Sequence, residues 1–111
     1  MNNPLWTPSN TRIQNSNITA FIRYITQHFG YPSHTHDYPT LHRWSVENKE
    51  SFWKAIWEYS NIKGEMGART LIQGDKMPGA QWFPDAHLNF AENLLRPAVS
   101  DSTIALIERG E

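Results

Sequence analysis

The run Ile104-Ala105-Leu106-Ile107 constrains this chain more than any other stretch, because it is apolar on both faces. Strands that alternate apolar and polar residues can lie at a wet surface. A run apolar on both sides reads as a strand in the middle of a sheet, covered above and below. Such a strand needs neighbours, and the preceding hundred residues supply almost none. Thr70-Leu71-Ile72-Gln73, ended by Gly74-Asp75, is the one other strand candidate. The pattern therefore predicts a chain that is the front end of something larger.

The remainder reads as helix. Ile18, Phe21, Ile22, Ile25 and Phe29 follow one buried helical stripe. Ser16 or Asn17 can cap its free N–H groups, Gly30 suits a left-handed position after its end, and Pro32 blocks continuation. A second helix is expected from Tyr38 to Thr40 onward, carrying Leu41 and Trp44. A third is expected over about Asn48 to Ile62, with Phe52, Trp53, Ile56, Trp57 and Tyr59 opposite Glu47, Lys49, Glu50, Lys54 and Glu58. Lys76 to Pro84 reads as a loop. A fourth helix is expected over Asn89 to Arg96, with Leu88, Ala91, Leu94 and Leu95 on one side and Pro97 as its stop. The fold class is mainly α with a few short strands (α+β). The division is an irregular arm over 1–16, with Trp6 pinned against something apolar, a helical unit over 17–100 and a first sheet strand over 101–111.

Composition removes several functions. Of 111 residues none is Cys, so disulfides, thiolate chemistry, zinc fingers and iron–sulfur sites are out. Ten basic residues against eleven acidic ones, without clustering, argue against a nucleic-acid surface. The start lacks the basic and apolar regions of a secretory signal, and no apolar run is long enough to span a bilayer. Asn17-Ile18-Thr19 fits the glycosylation pattern, but without a signal it reads as a chance match. The default location is cytoplasmic.

Candidate chemistry is thin. His34, His36, Asp37 and His42 lie close together, and a His-x-His pair can present two imidazoles to a metal. The plainer reading is a solvated loop rich in histidine, and no metal is expected. Glu47, Glu50, Glu58, Glu65 and Asp85 offer carboxylates for acid–base work. The helical ones alternate with lysines as a solvated face does. No Gly-rich phosphate loop and no nucleophile elbow is present. Trp44, Phe52, Trp53 and Trp57 fit either a core or a partner-binding stripe. Asn89 and Asn93 lie four apart on one helical face, placed either to hydrogen-bond neighbouring backbone or to face solvent. No catalytic, cofactor-binding or metal-binding residue is assigned.

One segment carries more. Residues 76–96, KMPGAQWFPDAHLNFAENLLR, resemble the N-terminal region of acyl-CoA synthetases of the adenylate-forming superfamily. The matching features are Trp82-Phe83, a short loop, then Leu88-Asn89 and Asn93-Leu94 on a helix. The wording is closer to the acetoacetyl-CoA synthetase branch than to the acetyl-CoA branch. Tyr38 to Glu47 followed by Ser51 to Trp57 is similar to the same family, as are Leu5 to Pro8 and Ile18 to Phe21. The resemblance implies the N-terminal helical cap of an acetoacetate–CoA ligase, a structural and non-catalytic fragment packed on a large nucleotide-binding domain. ATP, Mg2+ and CoA are implied for the complete enzyme and none for this chain. The remainder of the synthetase is the implied partner, and Ile104 to Ile107 would match an early strand of its sheet. The alternative is a stand-alone helical interaction module without enzymatic activity.

Overall fold

The structure is a computed structural model, and it describes residues 3–32, 37–95 and 99–110. Five helices and four two-residue strands follow one another along these residues: α1 (Asn10–Gln14), α2 (Asn17–His28), α3 (Tyr38–Glu47), α4 (Lys49–Tyr59), β1 (Gly64–Glu65), β2 (Leu71–Ile72), β3 (Gln81–Trp82), β4 (His87–Leu88) and α5 (Phe90–Leu95). The mainly α class with short strands holds.

Helix starts are written in the side chains. Ser16 has extended backbone and accepts the Thr19 N–H on its hydroxyl at 3.3 Å, so of the two expected caps it is Ser16 that serves. Asp37 does the same for α3, taking both the N–H and the hydroxyl of Thr40 at 2.9 Å. Gly30 follows α2 at φ +68°, the left-handed geometry that glycine adopts without strain. Asn48 alone separates α3 from α4, its N–H donating to Trp44 O at 2.8 Å.

The core belongs to α2, α3 and α4. Phe21, Ile22, Ile25, Tyr31, Leu41, Trp44 and Ala55 are buried, and Tyr24, Phe29, Phe52, Ile56 and Tyr59 pack around them. Ile25 and Ala55 are fully enclosed. Rings meet edge to face, Phe21 on Tyr59 at 5.2 Å and Tyr31 on Trp44 at 5.4 Å, the offset that the ring quadrupoles favour. Ile18 lies outside this core and is exposed, whereas Thr19 is buried with its hydroxyl on Ile13 O at 2.6 Å. The hydroxyl reaches a carbonyl of the preceding turn, which lets a polar residue face inward.

Several expectations need correction. The arm over 1–16 is not wholly irregular, because Ser9 accepts the Arg12 N–H and starts α1. Trp6 is not pinned against apolar residues. It is 67% exposed, with the Arg12 guanidinium 5.6 Å over its ring. The third helix stops at Tyr59 rather than Ile62, since Asn61 turns to φ +51°. The expected loop from Lys76 to Pro84 contains β3, paired antiparallel to β2 with Leu71 opposite Trp82. The short strand expected over Thr70 to Gln73 is present as β2, and a second, unexpected ladder pairs Gly64 with Leu88. For Ile104 to Ile107, expected to pair within a large domain beyond this chain, no described residue supplies a partner.

Candidate docking surface

Beyond Ala55 no described residue is buried. The ladders hold this half through polar and backbone contacts. Gly64 sits at φ +148°, and a Cβ there would fall 2.6 Å from Leu88 Cβ and 2.7 Å from His87 O, so only glycine admits the close pairing of β1 with β4. Arg69 clamps Asp85 through both carboxylate oxygens, which holds the Asp85 carboxyl below its ordinary range. Asn93 places its amide against residue 63. Its Oδ1 accepts the Lys63 N–H at 2.7 Å, and its Nδ2 donates to Lys63 O at 2.9 Å. Asn89 caps α5 by accepting the Glu92 N–H at 3.0 Å. Both asparagines therefore bond backbone rather than simply facing water.

With polar groups directed at the ladders, the apolar ones face out. Phe90, Leu94 and Leu95 on α5 are exposed, as is Leu88 on β4. Past α5, Ile104, Leu106 and Ile107 are 73%, 93% and 85% exposed. Leu94, Leu95, Val99 and Ile104 line one open, mainly apolar groove.

Trp53 and Trp82 form a separate exposed apolar site. Trp53 leaves α4 away from the core, and Trp82 reaches it from β3, the rings meeting at 5.5 Å edge to face. Phe83 completes a cleft of about 320 Å³ lined by these three residues. Phe83 has φ +46°, a left-handed backbone that costs a residue with a Cβ about 1–2 kcal/mol. Its neighbours impose it. The Phe83 N–H donates to Thr70 O at 2.8 Å, the Ala86 N–H donates to Phe83 O at 3.0 Å, and the ring lies 5.1 Å from Trp57. Local strain held by surrounding contacts is a recurring property of functional positions.

The other candidates separate. Of the aromatic stripe, Trp44 is core, Phe52 and Trp57 are half-buried, and Trp53 is surface. His34 and His36 lie outside the described residues. Asp37 is engaged as a helix cap, and His42 stacks on Tyr38 at 6.1 Å. Among the described residues no three metal-ligating side chains converge. Of the carboxylates, Glu58 accepts the Tyr24 hydroxyl at 2.9 Å, and desolvation followed by that hydrogen bond raises the Tyr24 pKa. Glu47 and Glu50 line an open polar groove at the start of α4, where Lys49 pairs with Asp75 at 2.6 Å. Sequence reading missed the Trp53–Trp82 contact, although the Trp82-Phe83 pair stood within the most informative motif.

The comparisons agree with this geometry. Residues 38–94 match the family described as acetyl-coenzyme A synthetase N-terminus. The chain is 44% identical over 108 residues to an acetoacetyl-coenzyme A synthetase of Rhizobium meliloti (strain 1021), covering 97% of this chain and 16% of the relative. It is 37% identical over 98 residues to a malonamoyl-CoA synthetase of Penicillium aethiopicum, covering 83% of this chain and 13% of that protein. The solved acetoacetyl-CoA synthetase of Streptomyces lividans superposes with a TM-score of 0.78 at 43% identity, over 86% of this chain and 15% of that one. The chain thus spans about a sixth of the length of the curated relatives it matches. Its helices, its short ladders and the segment around Trp82 are those of the acetyl-coenzyme A synthetase N-terminus family, to which this chain belongs, with acetoacetyl-CoA synthetases among its relatives.

Proposed function

We propose that the chain acts as the N-terminal cap of an acetoacetate–CoA ligase and docks on the enzyme's large nucleotide-binding domain. The observation carrying this reading is surface. The chain exposes 9457 Å², whereas a compact monomer of its mass exposes roughly 6,300 Å². Its radius of gyration is 18.1 Å against about 13 Å for a compact domain of this length. Exposed apolar residues contribute to that surface, and covering them against a larger body removes their area from water.

The complete enzyme would activate acetoacetate with ATP and Mg2+ to the acyl-adenylate, releasing diphosphate. CoA would then displace AMP to give acetoacetyl-CoA. The cap contributes no catalytic, nucleotide-binding or metal-binding residue, and its role is to close and stabilise the large domain in the cytoplasm. In this reading 1–16 is an arm, 17–100 the cap proper, and 101–111 enters the sheet of the large domain, where Ile104 to Ile107 gains the neighbours it lacks. No helix among the described residues is long and apolar enough to cross a membrane.

The test is to read the coding sequence past Glu111 and assay the complete product. Formation of AMP and acetoacetyl-CoA from ATP, acetoacetate and CoA is expected. A stop codon directly after Glu111, with a monomeric chain that binds no synthetase, leaves the stand-alone interaction module instead.

A further inference from the structure

Taking that reading as given, we infer that the cleft between Trp53, Trp82 and Phe83 is the principal attachment point of the cap, and that it receives an apolar side chain of the synthetase body. The three lining residues supply aromatic surface and no charged group. Such a cleft favours an aliphatic or aromatic side chain and offers a phosphate or carboxylate no charged partner. Trp53 and Trp82 come from different elements and are 41% and 43% exposed, so each side chain is partly supported by the fold and partly open to solvent. Rigid, half-buried indoles in a walled pocket are the residues that carry binding energy in protein contacts. Phe83 fixes the wall through its backbone bonds to Thr70 and Ala86. The cleft is therefore formed before any partner arrives, and little ordering cost remains at docking.

The occupant follows from the chain itself. The apolar run Ile104 to Ile107 does not fill the cleft, since those residues stand in solvent. In the solved relative this fold makes up 15% of one covalent chain, so a much larger body is tethered to it at high effective concentration and is the first candidate to fill an open apolar cleft.

The experiment compares oxidative footprinting of the tryptophans in this chain and in the complete synthetase. Trp53 and Trp82 are expected to react at least about tenfold more slowly in the complete enzyme, as fully covered indoles do. If they react equally in both while Leu94 and Ile104 become protected, the cap docks elsewhere; the functional reading stands and this inference falls. If no residue is protected, both fall. Protection of Trp82 in this chain on adding ATP or CoA would make the cleft a nucleotide site and overturn the inference. A photoreactive benzoylphenylalanine in place of Trp82 in the complete synthetase should crosslink to an apolar residue beyond 111. A crosslink of doubled mass, between two copies, would overturn it. In the complete enzyme Trp82→Ala should expose the cap to protease, with Trp82→Phe restoring protection and Tyr38→Ala, at an exposed ring on α3, changing nothing.

Discussion

The segment from α2 to α4 and the segment from Asn61 to Gly110 are similar in length and opposite in construction. The first buries seven apolar residues around Ile25. The second buries none among its described residues and is ordered by glycine contacts, an Arg69–Asp85 clamp and the Asn93 amide. Hydrophobic burial is non-directional and sums over area, so a helical half can enclose a core within one chain. Polar contacts fix geometry with modest net stabilisation. The second half thus has a defined shape without much stability of its own, as suits a surface waiting for cover.

Removing a core side chain should separate the halves most. Ile25→Ala is expected to cost about 2–5 kcal/mol in urea unfolding followed by helical circular dichroism. Leu106→Ala should stay within about 0.5 kcal/mol in the same titration, because Leu106 is already in solvent. A large loss at Leu106 would break the comparison. Gly64→Ala is expected to disrupt β1–β4 at a cost of about 1–3 kcal/mol. Amide exchange at Glu65 and Leu88 should speed up while α2 stays protected. If α2 loosens equally, the halves form one cooperative unit. Asn93→Ala should cost about 1 kcal/mol and loosen α5 alone, read from the same exchange data.

The smallest effect is that of acid. Asp37, Asp75 and Asp85 have folded pKa values below the ordinary 3.8, lowered respectively by hydrogen bonds from Thr40, Lys49 and Arg69. Their contribution is fully present above the unfolded carboxylate range and is lost as pH falls through the lower folded values. Since all three groups are solvent-accessible, the loss should be small and should shrink further in high salt, which screens exposed pairs. A stability drop centred well above pH 4 would contradict this assignment.

The helices were legible because each leaves a repeating trace. Ile22 and Ile25 share a period, and Ser16 and Asp37 stand where a first turn needs an acceptor. Ala55 was not legible. A small residue gives little hydrophobic signal, yet it is fully buried within α4 because the helices approach closely there. The ladders were hidden as well, because two-residue strands have no alternation to detect and their register rests on Gly64 and on turns. The docking surface was half legible. Trp82-Phe83 carried the family resemblance, but its pairing with Trp53 joins elements 29 positions apart, and no local pattern reports that. For Ile104 to Ile107 the pattern reported an environment rather than a conformation, since a strand needs a neighbour to be one.

The amide of Asn93 meets the peptide group of Lys63 as a passing strand would, one donor and one acceptor side by side. A side chain here substitutes for a backbone rung. Helix α5 is thereby registered against β1 with a helical backbone on one side and an extended backbone on the other, a junction that neither secondary structure provides by itself. The orientation of α5 is then a matter of two hydrogen bonds rather than of which residues are greasy. Phe90, Leu94 and Leu95 are released from the task of holding their own helix in place. Those three side chains are thereby left free to meet another surface, while the frame that aims them is set by polar contacts.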